Sequence, residues 1–200
     1  MAIAESEPLL EPFDSCSRLF TVADLELLPT DLPSGPIDFE LDNGRLVLIM
    51  VPPGDIHGAA QSNIVTELKV QRESKGYGKA RTEVGVVLWR NPDRVVTPDV
   101  LFVAKKSLPI RTSAEGYLET IPELVVEIRS KNDSLKYVER KVQHYLKAGV
   151  EVVWVADPAS MTVTAHTLTG EPAAYAEQDT LQLPDHIGGF SMTVADVFRV

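Results

Sequence analysis

The sequence predicts a mixed α/β fold: a central mixed β-sheet flanked by helices, with an N-terminal β-hairpin added to it. Three observations predict this. Short β-branched runs alternate along the chain with two segments of helical periodicity. An Asp42-Asn43-Gly44 turn joins two early strand-like runs. Apolar residues make up 44% and charged residues 24% of 200 residues, enough for one well-buried core and short for two.

The elements follow in order. Thr21-Val-Ala-Asp24 opens like a capping box, an aspartate reaching back where glutamate is usual, and predicts a helix through Leu28. Pro29 and the Pro33-Ser-Gly-Pro36 cluster stop it. Residues 37–41 and 45–51 read as the hairpin strands, because Asn-Gly tolerates positive φ, and Pro52-Pro53-Gly54 ends them. Ala60, Ile64 and Leu68 are spaced for an amphipathic helix over 57–74, closed by Gly76-Tyr-Gly78. Residues 84–89 and 95–103 read as strands around a turn at Asn91-Pro92-Asp93, and 105–121 as a loop or irregular helix. Residues 124–129 form a β-branched central strand. Leu135, Val138, Val142 and Tyr145 then give a helical stripe over 133–147, with Gly149 at the C-terminal cap. Residues 151–156 and 162–168 read as a second hairpin, and a final helical turn falls at 194–198. Residues 1–20 read as a flexible tail and 21–200 as a single domain.

Composition narrows the class. No apolar run approaches a membrane span, and the acidic, proline-containing start fits neither a signal nor a transit peptide. The lone Cys16 forms no internal disulfide and no cysteine cage, in keeping with a cytoplasmic location. The net charge of −10 is unevenly spread. Residues 1–55 carry two basic and eleven acidic side chains, and 149–200 one basic and seven acidic. By contrast, 69–81 holds five basic against one acidic, and 125–148 six against three. Any nucleic-acid binding is expected to run through the basic stretches 69–81 and 129–147.

Two carboxylates lie in otherwise apolar strands. Alternation puts Asp99 on a face with Leu101 and Val103, and Glu127 with Val125 and Arg129. An unpaired buried charge is costly, so a divalent metal or a cationic side chain must compensate. Two carboxylates with open water positions suit Mg²⁺ or Mn²⁺. The plainer alternative pairs Glu127 with Arg129 and leaves Asp99 capping the turn after Pro98. Trp89, Trp154 and Tyr145 read as core, His144, His166 and His186 show no metal-ligand spacing, and no phosphate-binding loop or nucleophile elbow is present.

Pro98-Asp99, Glu127-Ile128-Arg129-Ser130, Lys141 with Tyr145, Ala148-Gly149-Val150 and Trp154-Val-Ala-Asp157-Pro158 carry a resemblance in their order and spacing. So do Thr21-Val-Ala-Asp24, Phe39-Glu40-Leu-Asp-Asn-Gly44 and Gly189-Phe190. Together they resemble the Uma-type family of putative restriction endonucleases, within the PD-(D/E)xK nuclease superfamily. The resemblance implies a restriction-endonuclease-like core and metal-dependent hydrolysis of DNA. It implies Asp99 and Glu127 as metal-binding acids, the Ile128 carbonyl as a third ligand, Glu40 as an additional acid, and Mg²⁺ or Mn²⁺ as cofactor. The family also places a histidine near His57, one turn before Gln61. The superfamily lysine is expected two residues after Glu127, where this chain has Arg129. Lys141, at the edge of the helix stripe, is the alternative cation, and partial burial would bring it toward general-base chemistry that arginine cannot perform. The arginine and the net negative charge equally suit a catalytically inactive nuclease-fold module that binds or regulates. A third reading uses the hairpin at 37–51 to build a homodimer.

Overall fold

The computed structural model describes residues 18–33, 35–49, 54–108, 116–187 and 189–200. Most of the expected tail (1–17), the end of the hairpin (50–53) and the middle of the 105–121 connection (109–115) lie outside the described residues.

In chain order, α1 (Val22–Leu25) precedes the two-residue pair β1 (Asp31–Leu32) and β2 (Gly35–Pro36), the hairpin β3 (Asp38–Asp42) and β4 (Arg45–Ile49), and α2 (Asp55–Leu68). Next come β5 (Gly78–Thr82), β6 (Val86–Trp89), β7 (Arg94–Val96), β8 (Val100–Ala104) and β9 (Leu124–Ile128). The chain ends with α3 (Leu135–Ala148), β10 (Val152–Asp157), β11 (Thr162–Thr167), β12 (Ala173–Tyr175), β13 (Thr180–Gln182), β14 (Ser191–Thr193) and α4 (Val194–Val197).

Local chemistry sets the boundaries. Thr21 and Asp24 form the reciprocal capping box, although α1 stops at Leu25 rather than Leu28. Asn43 and Gly44 both take positive φ, 52° and 77°, as the hairpin turn requires. Ser134 caps the start of α3, and Gly149 ends it at φ 101°.

Six strands make the main sheet in the order β12-β11-β10-β9-β8-β5, and four make a second in the order β4-β3-β7-β6. Within the main sheet only β9 and β10 run parallel, and α3 supplies the crossover that a parallel pair needs. The sheet buries both faces. Leu101, Val103, Val125 and Val153 pack with Val142 and Tyr145 of α3 and with Val86 and Val96. Phe102, Leu124, Val126 and Trp154 face the other way, onto Ala60, Ile64 and Leu68 of α2 and onto Val194 and Val197 of α4. Full burial of one such aliphatic side chain contributes about 1.5–3 kcal/mol, so these two faces hold the helices in place.

Two expectations change. The strand expected over 95–103 is two strands, β7 and β8, in different sheets. Pro98 has no N–H to give a ladder, and the Thr97 N–H goes to Glu40, so pairing breaks there and Asp99 sits in the bend before β8. The second change is β5, a strand at the sheet edge that hydropathy gave no sign of. It carries the exposed Lys79 and the half-buried Arg81 on one face and only small residues, Gly78 and Ala80, on the other. A Cβ at Gly78 would lie 2.3 Å from the Val103 carbonyl oxygen, which is why glycine stands there.

Candidate active site

β8 and β9 pair antiparallel with Val100 opposite Val126, so the next residues along, Asp99 and Glu127, meet at one end of the main sheet. The Ile128 N–H donates to Asp99 Oδ2 at 2.6 Å, which ties the carboxylate across the strand pair. Glu127 projects toward α3, where Lys141 and Tyr145 stand one turn apart. Lys141 Nζ donates to the Glu127 carboxylate at 2.7 Å, and the fully buried Tyr145 hydroxyl donates to Oε1.

Glu40 reaches the same place from the second sheet. Only 1% exposed, it accepts the Thr97 N–H at 2.9 Å and lies 3.8 Å from Lys141 Nζ. Lys141 therefore sits between two carboxylates. Burial alone would lower its pKa, but Glu127 and Glu40 outweigh burial and hold it above the ordinary lysine value. This corrects the expectation that burial readies Lys141 for deprotonation near neutrality: the neighbouring anions reverse the sign. Glu127 moves the other way from an ordinary carboxylate. Burial raises its pKa to about 7, Asp99 adds to the rise, and Lys141 and Tyr145 oppose it without cancelling it.

From α2, His57 Nε2 lies 3.4 Å from Asp99 Oδ1. The hydrogen bond to Asp99 raises the imidazole pKa against the effect of burial, helped by the Asp99 charge and the Ile128 backbone. One turn later Gln61 donates to the Asp99 carbonyl at 3.0 Å and to Glu83 at 3.2 Å. Arg129 goes elsewhere. Its guanidinium pairs with Asp157 at 2.5 Å and reaches the Asp133 carbonyl at 3.4 Å. The structure thus brings Glu40, Asp99, Glu127 and Lys141 together, with Ile128 beside them, and turns Arg129 to a partner of its own.

These residues line a cleft of about 940 Å³ between the hairpin, the end of β9 and the start of α3. Six carboxylates face it, from Asp38, Glu40, Glu83, Asp99, Glu127 and Asp133, against Lys141, Arg129 and His57. Such a cleft is short of positive charge. Burial is the main cause of the raised Glu127 pKa, and the neighbouring Asp99 charge adds a smaller part. Two hard carboxylates and the Ile128 carbonyl fit a hard divalent cation that keeps several waters. Among the described residues no three His, Cys, Asp or Glu side chains stand close enough to hold a metal by themselves, so a cation held here would draw on backbone and water donors as well.

Sequence reasoning missed Thr97 and Glu83, and although it set Tyr145 beside Lys141 in the family pattern it gave the ring no role but core. A signal for Tyr145 existed: it lies four residues after Lys141, on the same helix face. Nothing local marks Glu83, whose place depends on the β5–β6 connection.

Comparison with curated proteins finds no match. A solved structure, that of a putative nuclease belonging to DUF820 from Anabaena variabilis, superposes with a TM-score of 0.72 at 20% identity. The match covers 90% of this chain and 97% of that one, and it shows a shared fold. The family model Uma2, described as putative restriction endonuclease, matches residues 23–195. With that match over most of its length, the chain belongs to the Uma2 family of putative restriction endonucleases.

Proposed function

We propose that this protein is a divalent-metal-dependent endonuclease that hydrolyses DNA phosphodiester bonds. The observation that carries the reading is the meeting of Asp99, Glu127 and Lys141 at one cleft. Asp99, Glu127 and the Ile128 carbonyl would hold Mg²⁺ or Mn²⁺. That cation, when bound, supplies the charge that polarises the scissile phosphate and makes water nucleophilic. The chain's own residues do the rest. The Ile128 N–H fixes Asp99, and Tyr145 with Lys141 fixes Glu127. Lys141, kept protonated by Glu40 and Glu127, acts as a fixed positive charge against the charge that develops on phosphate oxygens.

One observation favours the alternative of a binding module without catalysis. Arg129, at the position of the superfamily lysine, is engaged by Asp157. The test is thermal unfolding with Mn²⁺ together with cleavage of plasmid DNA. Mn²⁺ is expected to raise Tm in the wild type and not in the Asp99→Ala, Glu127→Ala double variant. An equal rise in both discards the metal assignment. A rise lost in the variant, with no cleavage of plasmid by the wild type, leaves the binding module standing.

A further inference from the structure

The first basic stretch divides between the two sides of the main sheet. Lys69, Arg72 and Lys75 follow α2, which packs on the face away from α3, whereas Lys79 and Arg81 belong to β5, opposite Val103 and Leu101. Lys69 comes twelve residues after His57, about 18 Å along the helix from the cleft. Two cations there are already engaged, Lys79 by Glu73 at 2.9 Å and Arg72 by the Gly189 carbonyl at 2.7 Å.

α3 is different because it starts at the cleft. Tyr137 and Lys141 line the cleft, and Arg140 lies 5.6 Å from the Tyr137 ring. At 100° per residue, Lys136, Tyr137, Arg140, His144 and Lys147 share an arc of roughly 100°. The helix has a single acid, Glu139, and it falls outside that arc. Arg140 and Lys147 are exposed. The arc has a floor of conjugated rings: Trp89 stacks edge-on with His144 at 5.4 Å, and Lys147 Nζ stands 4.9 Å above the Trp89 ring. Arg94 lies beneath, paired with Asp42 at 2.9 Å, and Asp42 is also 4.0 Å from Arg140. Three cations, Arg94, Arg140 and Lys147, therefore surround His144 against one carboxylate. They lower its pKa together with burial, the largest cause, while Asp42 opposes them. His144 Nδ1 is buried with no partner.

We propose that this face of α3, from Tyr137 through Arg140 and His144 to Lys147 with Trp89 beside it, is the track that holds a nucleic-acid backbone leaving the cleft. It spans about 15 Å of helix, or some four nucleotide steps at about 3.4 Å each. Continuity with the cleft and the charge excess select a polyphosphate strand as occupant. Asp42 sets a limit on the excess, and the rings offer a surface to unpaired bases. This inference rests on the nuclease reading.

The test is fluorescence anisotropy of a labelled DNA with Ca²⁺ present, read as Kd against salt. Arg140→Gln with Lys147→Gln is expected to raise Kd about tenfold and to lower the salt slope by about 2. Lys69→Gln with Lys75→Gln, on the far face, is expected to change Kd less than about twofold. The charge-keeping pair Arg140→Lys with Lys147→Arg should retain affinity, which separates lost charge from damaged fold. Unchanged affinity and slope in the glutamine pair overturns the track, as does an equal loss from the far face or the absence of DNA binding by the wild type. The Mn²⁺ shift of Tm, which needs only Asp99 and Glu127, reports separately on the nuclease reading.

Discussion

Glu123 and Glu127 stand at opposite ends of one strand, four residues apart and both largely withdrawn from solvent. Neutral donors meet Glu123: the Ala104 N–H at 2.7 Å and the Ser107 hydroxyl, with Lys106 at 3.9 Å. It ties the start of β9 to the end of β8. Glu127 meets a lysine and a tyrosine, has Asp99 near it, and opens into the cleft. Burial is therefore a poor marker of a site. What sets Glu127 apart is a like-charged neighbour and an adjoining cavity, features that go with functional carboxylates more often than burial alone does.

The largest effect should separate the two acids. Glu127→Ala is expected to cut DNA cleavage on the order of 10³-fold, since it removes several kcal/mol of transition-state stabilisation that depends on the metal. Glu123→Ala should leave cleavage per folded molecule nearly unchanged and cost about 1–3 kcal/mol of stability, because the Ala104 N–H loses its partner. Urea unfolding and a plasmid assay read both. Cleavage lost in Glu123→Ala and kept in Glu127→Ala would break the comparison.

The next effect sharpens what Glu127 needs. Lys141→Ala leaves Glu40 and Glu127 without their shared counter-charge, at about 3–5 kcal/mol in metal-free protein. Arg129→Ala breaks a partly exposed pair with Asp157, worth about 1 kcal/mol or less. Cleavage, measured once both variants are shown to be folded, should fall steeply in the first and survive in the second. The reverse pattern would return the catalytic charge to the strand position. Lys141→Arg adds a finer reading: activity kept there means that the cation works by charge, since arginine does not deprotonate.

Much of this was legible in the sequence. The α3 stripe, the Asn-Gly hairpin and the β9 run specify themselves through local spacing, and they are the elements that carry Lys141, Glu40 and Glu127. Family resemblance supplied the pairing of Asp99 with Glu127, and the sheet register brings the two together. What stayed hidden was set at a distance. The break at Pro98 moves the chain between sheets, and β5 is held by partners rather than by its own hydropathy. The destination of Arg129 depends on Asp157, at the end of a strand 28 residues on. The upward shift of Lys141 comes first from Glu127 and then from Glu40, which is brought in by the other sheet.

The smallest effect lies at the Glu123 end of the sheet, where charge should act without catalysis. Glu151, just before β10, accepts from His186 and, at 3.2 Å, from Lys106. The hydrogen bond from His186, then those from Lys106, hold its carboxyl below its ordinary value of 4.5, against burial. A depressed folded-state pKa means that the unfolded chain takes up a proton first as pH falls. The contribution is thus fully present above about pH 4.5 and is lost as pH drops through the lower folded value. His186 and Lys106 are 58% and 56% exposed, so solvent screening keeps the contribution under about 1 kcal/mol, or roughly 2–4 °C in Tm. Glu151→Gln should melt slightly below wild type at pH 7, and the gap should close as pH falls through the lowered folded-state value. Added salt should narrow the gap at pH 7. A gap that persists at low pH and in high salt would mean that Glu151 acts by packing, and this end of the sheet would then offer no electrostatic counterpart to the cleft.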